Sequence, residues 1–276
     1  MEAGFEGAGA VVTGAGSGIG KLIAEKLAQG GAKVAVWDID GPAARESAKE
    51  IRDVGGEAQA FEVDCGDFEE VLSAAGPTMA FLGHLNILVN DAGVVAGKLF
   101  SDLSEREVER VFDVNSLSLF WTNKAFMAEL EKSRRAVTVT VASAAGLIGS
   151  ARLTAYSASK FAAVGFTSSL RNELKKEGSH VKTLLVCPYY ISTGMFEGVK
   201  TKIPALLPIL RPERVAREVV RAIRLGRERL ILPPFASLAG FIANCPARLA
   251  DGMENIFGIN SCMDEFVGRK KTNERI

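Results

Sequence analysis

The first thirty residues place a short apolar segment, a glycine-rich turn and a helical pattern in one continuous order. Residues 8–12 (AGAVV) predict a buried strand. The glycine-rich turn TGAGSGIG follows it directly, from residue 13 to residue 20. Apolar residues then recur at helical spacing from Ile19 to Leu27, and Gly30-Gly31 ends the helix. A strand, a glycine turn and a helix in this order favour an α/β fold with a parallel sheet.

The same turn is a candidate phosphate site. The first N–H groups of a helix and the positive end of its dipole point toward such a turn, and glycines allow a close approach. An ordinary tight turn is the alternative, but the strand and helix around it favour nucleotide binding. The candidate residues are Gly14, Ser17, Gly18, Ile19 and Gly20.

The rest of the chain alternates predicted strands with helical patterns. Helices are expected at 43–54, at 67–82 with an interruption at Pro77, from a Ser104/Glu107 capping box through residue 126, and at 151–175. We therefore expect one three-layer α/β domain, residues 1–276, with a doubly wound parallel sheet of about seven strands and a core at 8–235. The further strands are predicted at 33–37, 58–63, 87–89, 136–142, 181–186 and 230–232.

Composition excludes several classes of protein. Lys plus Arg equals Asp plus Glu, at 33 each, so the overall charge gives no reason to expect nucleic-acid binding. Four cysteines without C-x-x-C spacing and two histidines argue against a zinc site. The N-terminus lacks a signal-peptide pattern, and no apolar run approaches the ~20 residues of a transmembrane helix. We expect no metal, no transmembrane segment and a cytoplasmic location.

An acidic residue closes the second predicted strand. Asp38 lies 18 positions after Gly20, where a carboxylate can accept hydrogen bonds from both hydroxyls of an adenine ribose. The same carboxylate repels a 2′-phosphate, and residues 14–20 contain no Arg or Lys to offset it. A turn aspartate in the sequence WDIDGP is the alternative. The pattern predicts NAD over NADP.

Two further strand ends carry candidate cofactor contacts. Asp64-Cys65 follows the third strand and would lie at the adenine side of a doubly wound sheet. Asn90-Asp91-Ala92-Gly93 follows the fourth strand, and its small residues would let the main chain approach a cofactor. An Asx turn explains each of these residues equally well when it is taken singly.

Residues 143–160 combine a serine, a tyrosine and a lysine. Tyr156 and Lys160 are one helical turn apart on one face, and a nearby ammonium lowers the pKa of a phenol from its ordinary value of about 10. Ser143 ends an apolar strand, so its hydroxyl would emerge where ligands bind to parallel sheets. Asn115, inside an apolar helical stretch, is by itself better explained as a structural tie.

Two apolar segments follow the sixth strand. The segment Cys187–Thr193 leaves the strand, and the 194–211 loop after it predicts a substrate lid, with packing or a subunit contact as alternatives. The C-terminal extension, residues 236–276, could close the pocket, contact another subunit or lie on a membrane. Its last residues, RKKTNERI, are expected to be disordered.

Taken together, these motifs resemble the short-chain dehydrogenases/reductases in their single-domain form, over about residues 8–235. The resemblance is closest to the retinol-dehydrogenase-like and hydroxysteroid-dehydrogenase-like branch, on the segments VWDID, TGMFEGV, LLPIL and GINSCMDEFVGRK. Two positions depart from the family pattern: Asp91 replaces the second Asn of Asn-Asn-Ala-Gly, and Tyr189 replaces the Gly of Pro-Gly. Membrane-bound relatives carry an apolar N-terminal anchor, and we do not expect attachment of that kind for this chain.

The resemblance implies a Rossmann fold and a role for each motif residue. Tyr156 would be the general base for alcohol oxidation, Lys160 would lower its pKa and hold the nicotinamide ribose, and Ser143 would bond the substrate oxygen. Asn115 would hold a water that links Lys160 to solvent. The implied cofactor contacts also include Asp38, Asp64, Cys65, Asn90, Ala92, Gly93, Pro188, Ile191 and Thr193, the last at the carboxamide. A homodimer or homotetramer through the two long helices is implied as well.

The sequence thus predicts an NAD-dependent oxidoreductase that interconverts a lipophilic alcohol and its ketone or aldehyde. A catalytically silent NAD-binding sensor on the same fold is the first alternative. A sugar-nucleotide epimerase or dehydratase is the second, although those usually show G-x-x-G-x-x-G and a larger C-terminal domain. A peripheral membrane protein that uses residues 235–267 is the third.

Overall fold

Seven parallel strands form one sheet in the order β3-β2-β1-β4-β5-β6-β7. The computed structural model describes residues 4–268, so the prediction for residues 269–276 lies outside the described residues. The strands are β1 (Gly9–Thr13), β2 (Lys33–Asp38), β3 (Glu57–Glu62), β4 (Ile87–Asn90), β5 (Val137–Val141), β6 (Lys182–Pro188) and β7 (Arg229–Leu232).

Helices connect the strands and cover both faces of the sheet. They are α1 (Gly18–Gln29), α2 (Gly41–Asp53), α3 (Phe68–Leu82), α4 (Glu105–Phe112), α5 (Ser118–Lys132), α6 (Thr154–Lys176), α7 (Pro212–Arg224), α8 (Ala239–Ile242) and α9 (Ala247–Phe257). On one face Ile23 of α1 and Val219 of α7 pack in a core with strand residues such as Val36. On the other face Phe126 of α5 packs against Trp37, with ring centroids 5.4 Å apart. The predicted fold class is confirmed.

The order of the strands reverses beside β1. The chain runs outward from β1 to β3, then returns to β4 on the other side of β1. Helices therefore leave β1 and β4 toward opposite faces, and a crevice opens between them at the carboxyl ends of the strands. Thr13, Asp38, Asn90 and Val141 all end strands at this edge.

Two predicted helices differ in the structure. Helix α3 runs without a break from Phe68 to Leu82, so the expected interruption at Pro77 is wrong. Pro77 and Ser73 lie on the exposed side, where water can satisfy the carbonyl that loses its partner. The long helix after Ser104 has its capping box, but residues 113–117 form one π-helical turn between α4 and α5. A π turn is common at functional sites, and this one contains Asn115.

Two segments, one after β6 and one after β7, form a layer over the carboxyl edge of the sheet. The 194–211 loop, α8 and α9 lie there and pack against residues 144–148 and 231–239. No helix within residues 4–268 has both the length and the apolarity needed to cross a bilayer.

Candidate active site

One cavity of about 1340 Å³ opens at the carboxyl edge of the sheet. Its cofactor half, as we name it, is lined by residues 14–19, 38–45, 62–65 and 91–94 together with Arg110. Its substrate half is lined by parts of residues 144–153, 189–196, 207 and 235–262. Ser143, Tyr156 and Lys160 line the wall where the two halves meet.

The glycine turn fits a diphosphate group. Gly14 and Gly18 have φ angles of +66° and +61°, which favour glycine. A Cβ on Gly14 would lie 2.9 Å from Cα of Ala92, whereas a Cβ on Gly18 would meet nothing nearer than Thr193, at 3.9 Å. The space over Gly18 is therefore open and faces the first turn of α1. Gly20 lies behind the turn, because a Cβ there would clash with the Gly14 carbonyl oxygen.

Asp38 holds the end of the glycine turn. Its carboxylate accepts hydrogen bonds from the main-chain N–H of Gly16 (2.8 Å) and of Asp40 (2.9 Å). Arg45 also lines this part of the cavity and is paired with Glu62 at 3.5 Å. Sequence reasoning missed this arginine, because it lies on α2 and not in the glycine turn. Glu62 balances the charge of Arg45, so the side chains around Asp38 keep a net negative charge.

Asp64 is held by a second missed residue. One carboxylate oxygen of Asp64 accepts from the N–H of Gly66 at 2.8 Å, and the other accepts from Arg110 Nη at 2.7 Å. Arg110 comes from α4, 46 positions away, and no local motif marks it. The pair forms one end wall of the cofactor half, beside Cys65, whose thiol pKa is raised by burial.

Asn90 and Asp91 have different environments although they are neighbours. The Asn90 side chain is buried behind the cavity, where it donates to Val139 O and accepts from Thr122 Oγ at 2.6 Å. Asp91, Ala92 and Gly93 line the cavity, and the first two donate their N–H groups to Thr13 Oγ. Asn90 thus ties β4 to β5 and α5, and the cofactor would meet the three residues after it.

Asn115 joins three parts of the chain from the π turn. Its Oδ1 accepts from Val94 N at 2.8 Å, and its Nδ2 donates to Val94 O (2.9 Å) and to Ser159 Oγ (3.0 Å). Both amide protons are thereby used, so the side chain ties the loop after β4 to α6. Asn115 Oδ1 and Lys160 Nζ lie on the same side of Gly93, at 3.4 and 3.6 Å from where its Cβ would be.

The serine, tyrosine and lysine are brought together as predicted. Ser143 Oγ accepts a hydrogen bond from Ala145 N at 3.1 Å, and the Ser143 side chain is bonded to the Tyr156 hydroxyl. Lys160 is buried, and its Nζ donates to Val141 O at 3.0 Å and lies 5.7 Å from the centre of the Tyr156 ring. Two ammonium protons of Lys160 remain for other acceptors.

Burial dominates the pKa values of these groups. It raises the pKa of Tyr156 to about 12, against a lowering by the Ser143 hydrogen bond. It lowers the pKa of Lys160 to about 8 and raises the pKa of Asp91 to about 8, and each of these two charges offsets part of the other's shift. Burial thus opposes the lowering of the Tyr156 pKa that the Lys160 spacing predicts.

Known proteins share both the sequence pattern and the fold. The family model described as short chain dehydrogenase matches residues 8–204. This chain belongs to the short-chain dehydrogenase family. Short-chain dehydrogenase/reductase family 16C member 6 of Bos taurus is 39% identical over 269 residues, which cover 96% of this chain and 84% of that protein. Epidermal retinol dehydrogenase 2 of Mus musculus is 38% identical, covering 95% and 85%. Estradiol 17-beta-dehydrogenase 11 of Mus musculus is 37% identical, covering 94% and 86%.

Solved structures of the family agree with this fold. A short-chain dehydrogenase/reductase from Burkholderia phymatum, in complex with NAD, superposes with a TM-score of 0.78 at 27% identity, covering 95% of this chain and 98% of its own. A 7 alpha-hydroxysteroid dehydrogenase complexed with NADH and 7-oxo glycochenodeoxycholic acid gives 0.75 at 28% identity, covering 83% and 93%.

The comparisons confirm the predicted family, its retinol- and hydroxysteroid-dehydrogenase-like branch, and the class of enzyme. This short-chain dehydrogenase is an oxidoreductase of the alcohol dehydrogenase type. NAD as the predicted cofactor agrees with the dinucleotide bound in both solved relatives and with the glycine turn and Asp38. The alternatives of a silent sensor and of a sugar-nucleotide epimerase gain no support from these relatives.

Proposed function

We propose that this short-chain dehydrogenase interconverts a lipophilic alcohol and its ketone or aldehyde with NAD, and that Tyr156 is the acid/base. The observation that carries the proposal is the position of Tyr156. Its hydroxyl is bonded to Ser143 on a wall shared by a half-cavity with charged groups and an apolar half-cavity. A substrate at this wall can therefore lose a hydride from its carbon toward the cofactor half and a proton from its oxygen to Tyr156.

The cofactor half offers a complementary contact for each part of NAD. Asp38 would accept the hydroxyls of the adenine ribose, and the open space between Gly18 and Thr193 would take the diphosphate. Asp64, held by Arg110, would border the adenine. Lys160 would donate to the nicotinamide ribose, and Pro188, Ile191 and Thr193 line the cavity near it.

NAD, when bound, supplies the hydride acceptor, and the chain's own residues handle the proton. In alcohol oxidation the Tyr156 oxygen accepts the proton of the substrate hydroxyl, and in reduction it returns that proton. Ser143 can donate its own proton to the substrate oxygen, because its oxygen already accepts from Ala145 N. The Lys160 ammonium favours the ionised form of Tyr156 as the proton moves. Asn115 fixes the main chain beside Lys160, where a water can link the ammonium to solvent.

The substrate half favours an apolar ligand. Within the described residues, every charged side chain that lines the cavity lies in the cofactor half or is Lys160. The substrate half is lined by Ile148, Leu153, Phe196, Phe257 and other apolar residues. A carboxylate or phosphate ester would lose its hydration there without gaining a partner, whereas an apolar alcohol gains from burial.

Assembly and location remain proposals of the same kind. Leu117, Phe120 and Phe161 lie on α5, α6 and the turn before them, and each exposes more than a third of its surface. These apolar side chains support the predicted homodimer or homotetramer through the long helices, which sedimentation equilibrium would test. The predicted cytoplasmic location stays a prediction.

The proposed reaction can be tested by initial rates. The absorbance of the reduced nicotinamide would be followed with NAD and with NADP, across retinol, hydroxysteroids, long-chain alcohols and small polar diols. We expect turnover of the apolar alcohols with NAD and much slower turnover of the diols. Faster turnover of polar or charged alcohols would contradict the lipophilic substrate. Binding of NAD without turnover of any alcohol would contradict the reaction.

A further inference from the structure

Residues 197–202 of the 194–211 loop are bonded to residues 255–268 of the C-terminal extension. Val267 N donates to Glu197 O at 2.9 Å, and Lys200 N donates to Cys262 O at 3.2 Å. An ion pair joins Lys200 to Glu265 at 2.6 Å. The two hydrogen bonds connect main chain to main chain, so the two segments form one layer over the substrate half. We name this layer the cover.

The Tyr189 hydroxyl lies where the two segments of the cover meet. It is 3.4 Å from Cys262 Sγ in the C-terminal extension and lies near enough to Thr201 in the 194–211 loop for that side chain to affect its pKa. Thr201 and Cys262 otherwise bond within their own segments, to Leu207 O at 2.7 Å and Gly258 O at 3.0 Å. Tyr189 itself follows β6, so its side chain joins both segments to the central sheet. Burial raises its pKa, which keeps the hydroxyl protonated at neutral pH.

The Tyr189 ring begins a series of aromatic contacts that ends at Tyr156. Tyr189 packs on Tyr190 with ring centroids 4.7 Å apart, and Tyr190 packs on Phe196 at 5.1 Å. Phe196, from the 194–211 loop, packs edge to face on Tyr156 at 5.6 Å. Phe196 therefore places the 194–211 loop in direct contact with the proposed acid/base.

From these contacts we propose that Tyr189 is a positioning and specificity-determining residue: it holds the cover closed over the substrate half and so selects bulky apolar alcohols. The kinetic part of this inference rests on the proposed function, whereas the structural part does not. The family pattern has glycine at this position, and glycine has neither the hydroxyl nor the ring. Tyr189 thus supplies a contact between the sheet and the cover that a glycine at this position could not make.

Cys262 reports the position of the cover without any turnover. Only 3% of its surface is exposed, so a thiol reagent can reach it only when the cover opens. Alkylation rates of each cysteine would be measured by peptide mass spectrometry in the wild-type protein, Tyr189→Phe and Tyr190→Phe. Tyr190→Phe makes the same chemical change one residue away: that hydroxyl lies beside Ser150, whose own bond to Ile259 O in the C-terminal extension stays in the variant. Cys65, 5% exposed at the cofactor half, reports openings of the protein outside the cover.

We expect Tyr189→Phe to raise the Cys262 alkylation rate about fivefold, because one buried hydrogen-bonded hydroxyl is lost, and to leave Cys65 unchanged. Tyr190→Phe should change the Cys262 rate by less than about twofold. In kinetics, Tyr189→Phe should raise KM for a bulky apolar alcohol more than for a small alcohol, with a smaller effect on kcat. An unchanged Cys262 rate, an equal rise in both variants, or a parallel rise at Cys65 would each overturn the proposal. Absence of turnover in the wild-type protein would instead contradict the proposed function and leave the alkylation result decisive.

Discussion

The two halves of the cavity are built in different ways. The cofactor half is made of short strand ends, each followed closely by the residues that line it, and its contacts are main-chain N–H groups and carboxylates. The substrate half is closed by segments that follow the last strands, and its contacts are rings and aliphatic side chains. Gly16 and Asp38, which meet in the cofactor half, are 22 positions apart. Ser150 and Ile259, which meet beside the substrate half, are 109 positions apart.

This difference separates chemistry from selectivity. Local strand-turn-helix units fix the groups that hold a dinucleotide, so their geometry varies little with the rest of the chain. The substrate half depends on long-range packing of the 194–211 loop and the C-terminal extension, which can change without disturbing the sheet. We therefore expect substitutions in one half to leave the function of the other half nearly intact.

The largest effect should come from Lys160, where the halves meet. Lys160→Met removes the ammonium that favours ionised Tyr156 and would hold the nicotinamide ribose. We expect kcat to fall by about a hundredfold or more, in line with the contribution of general acid/base groups. Lys175→Met is the matched control, since Lys175 is exposed on the same helix and pairs with Glu228. A kcat for Lys160→Met within about threefold of the wild type would contradict the proton mechanism.

The next effect should be confined to the cofactor half. Asp38→Ala removes a carboxylate that would repel a 2′-phosphate, and Arg45 then lies nearby. We expect the ratio of kcat/KM for NAD to that for NADP to fall by at least about tenfold. Asp53→Ala is the control, because Asp53 lies exposed at the far end of α2, where it pairs with Lys49. An unchanged preference in Asp38→Ala would show that this carboxylate does not select the cofactor.

A charge placed in the substrate half should have the converse effect. Met195 is partly buried on that wall, and Met195→Lys would leave an ammonium without a partner beside an apolar substrate. We expect kcat/KM for a bulky apolar alcohol to fall about fivefold to tenfold, with NAD affinity unchanged by isothermal titration calorimetry. Met195→Leu should retain activity. Equal losses in NAD affinity and in substrate kcat/KM would show that the halves are not independent.

The smallest predicted effect concerns stability at Asp91, the departure from the family motif. Its pKa is raised from 3.8 to about 8, so the folded protein binds this proton more tightly than the unfolded chain does. The resulting stability is complete below about pH 4 and is lost as the pH rises toward about 8. Asp91→Asn cannot ionise, so its stability relative to the wild type should rise by at least about 1 kcal/mol between pH 5 and pH 8.

Urea unfolding at pH 5 and at pH 8 would measure this gain in stability. Asp53→Asn, at an exposed site paired with Lys49, should show no such pH dependence. A constant difference in unfolding free energy between Asp91→Asn and the wild type would mean that Asp91 is ionised across this range.

Much of the cofactor half could be predicted from the sequence because its signals are local. The glycine turn, Asp38 and the Tyr156/Lys160 spacing each reflect one short segment, and the structure brings them to one cavity. Asn90 and Gly20 are predicted cofactor contacts, but both lie behind the wall of the cavity. The alternation of side chains along β4 decides which way Asn90 faces, and the packing of α1 decides it for Gly20. Arg110 could not be predicted, because its partner Asp64 is 46 positions away.

The substrate half was less predictable for a physical reason. Apolar composition allowed residues 194–211 and the C-terminal extension to cover a pocket or contact another subunit, and did not indicate how the two segments meet. The contact between Tyr189 and Cys262 depends on the fold of the whole layer, and neither residue stands out by its spacing. The pKa of Tyr156 also depends on burial by Phe196 and other residues distant in sequence, which the i, i+4 lysine alone does not reveal.

The central claim is that Tyr156 moves the proton while the rest of the site holds the reactants. The most direct test is the hydride-transfer rate of Tyr156→Phe, measured with NAD and the best alcohol of the panel, together with the Kd for NAD. Phenylalanine keeps the ring contact with Phe196 and removes only the hydroxyl. We predict a loss of about a hundredfold to ten-thousandfold in rate with Kd nearly unchanged. A variant that retains most of the wild-type rate would contradict the account.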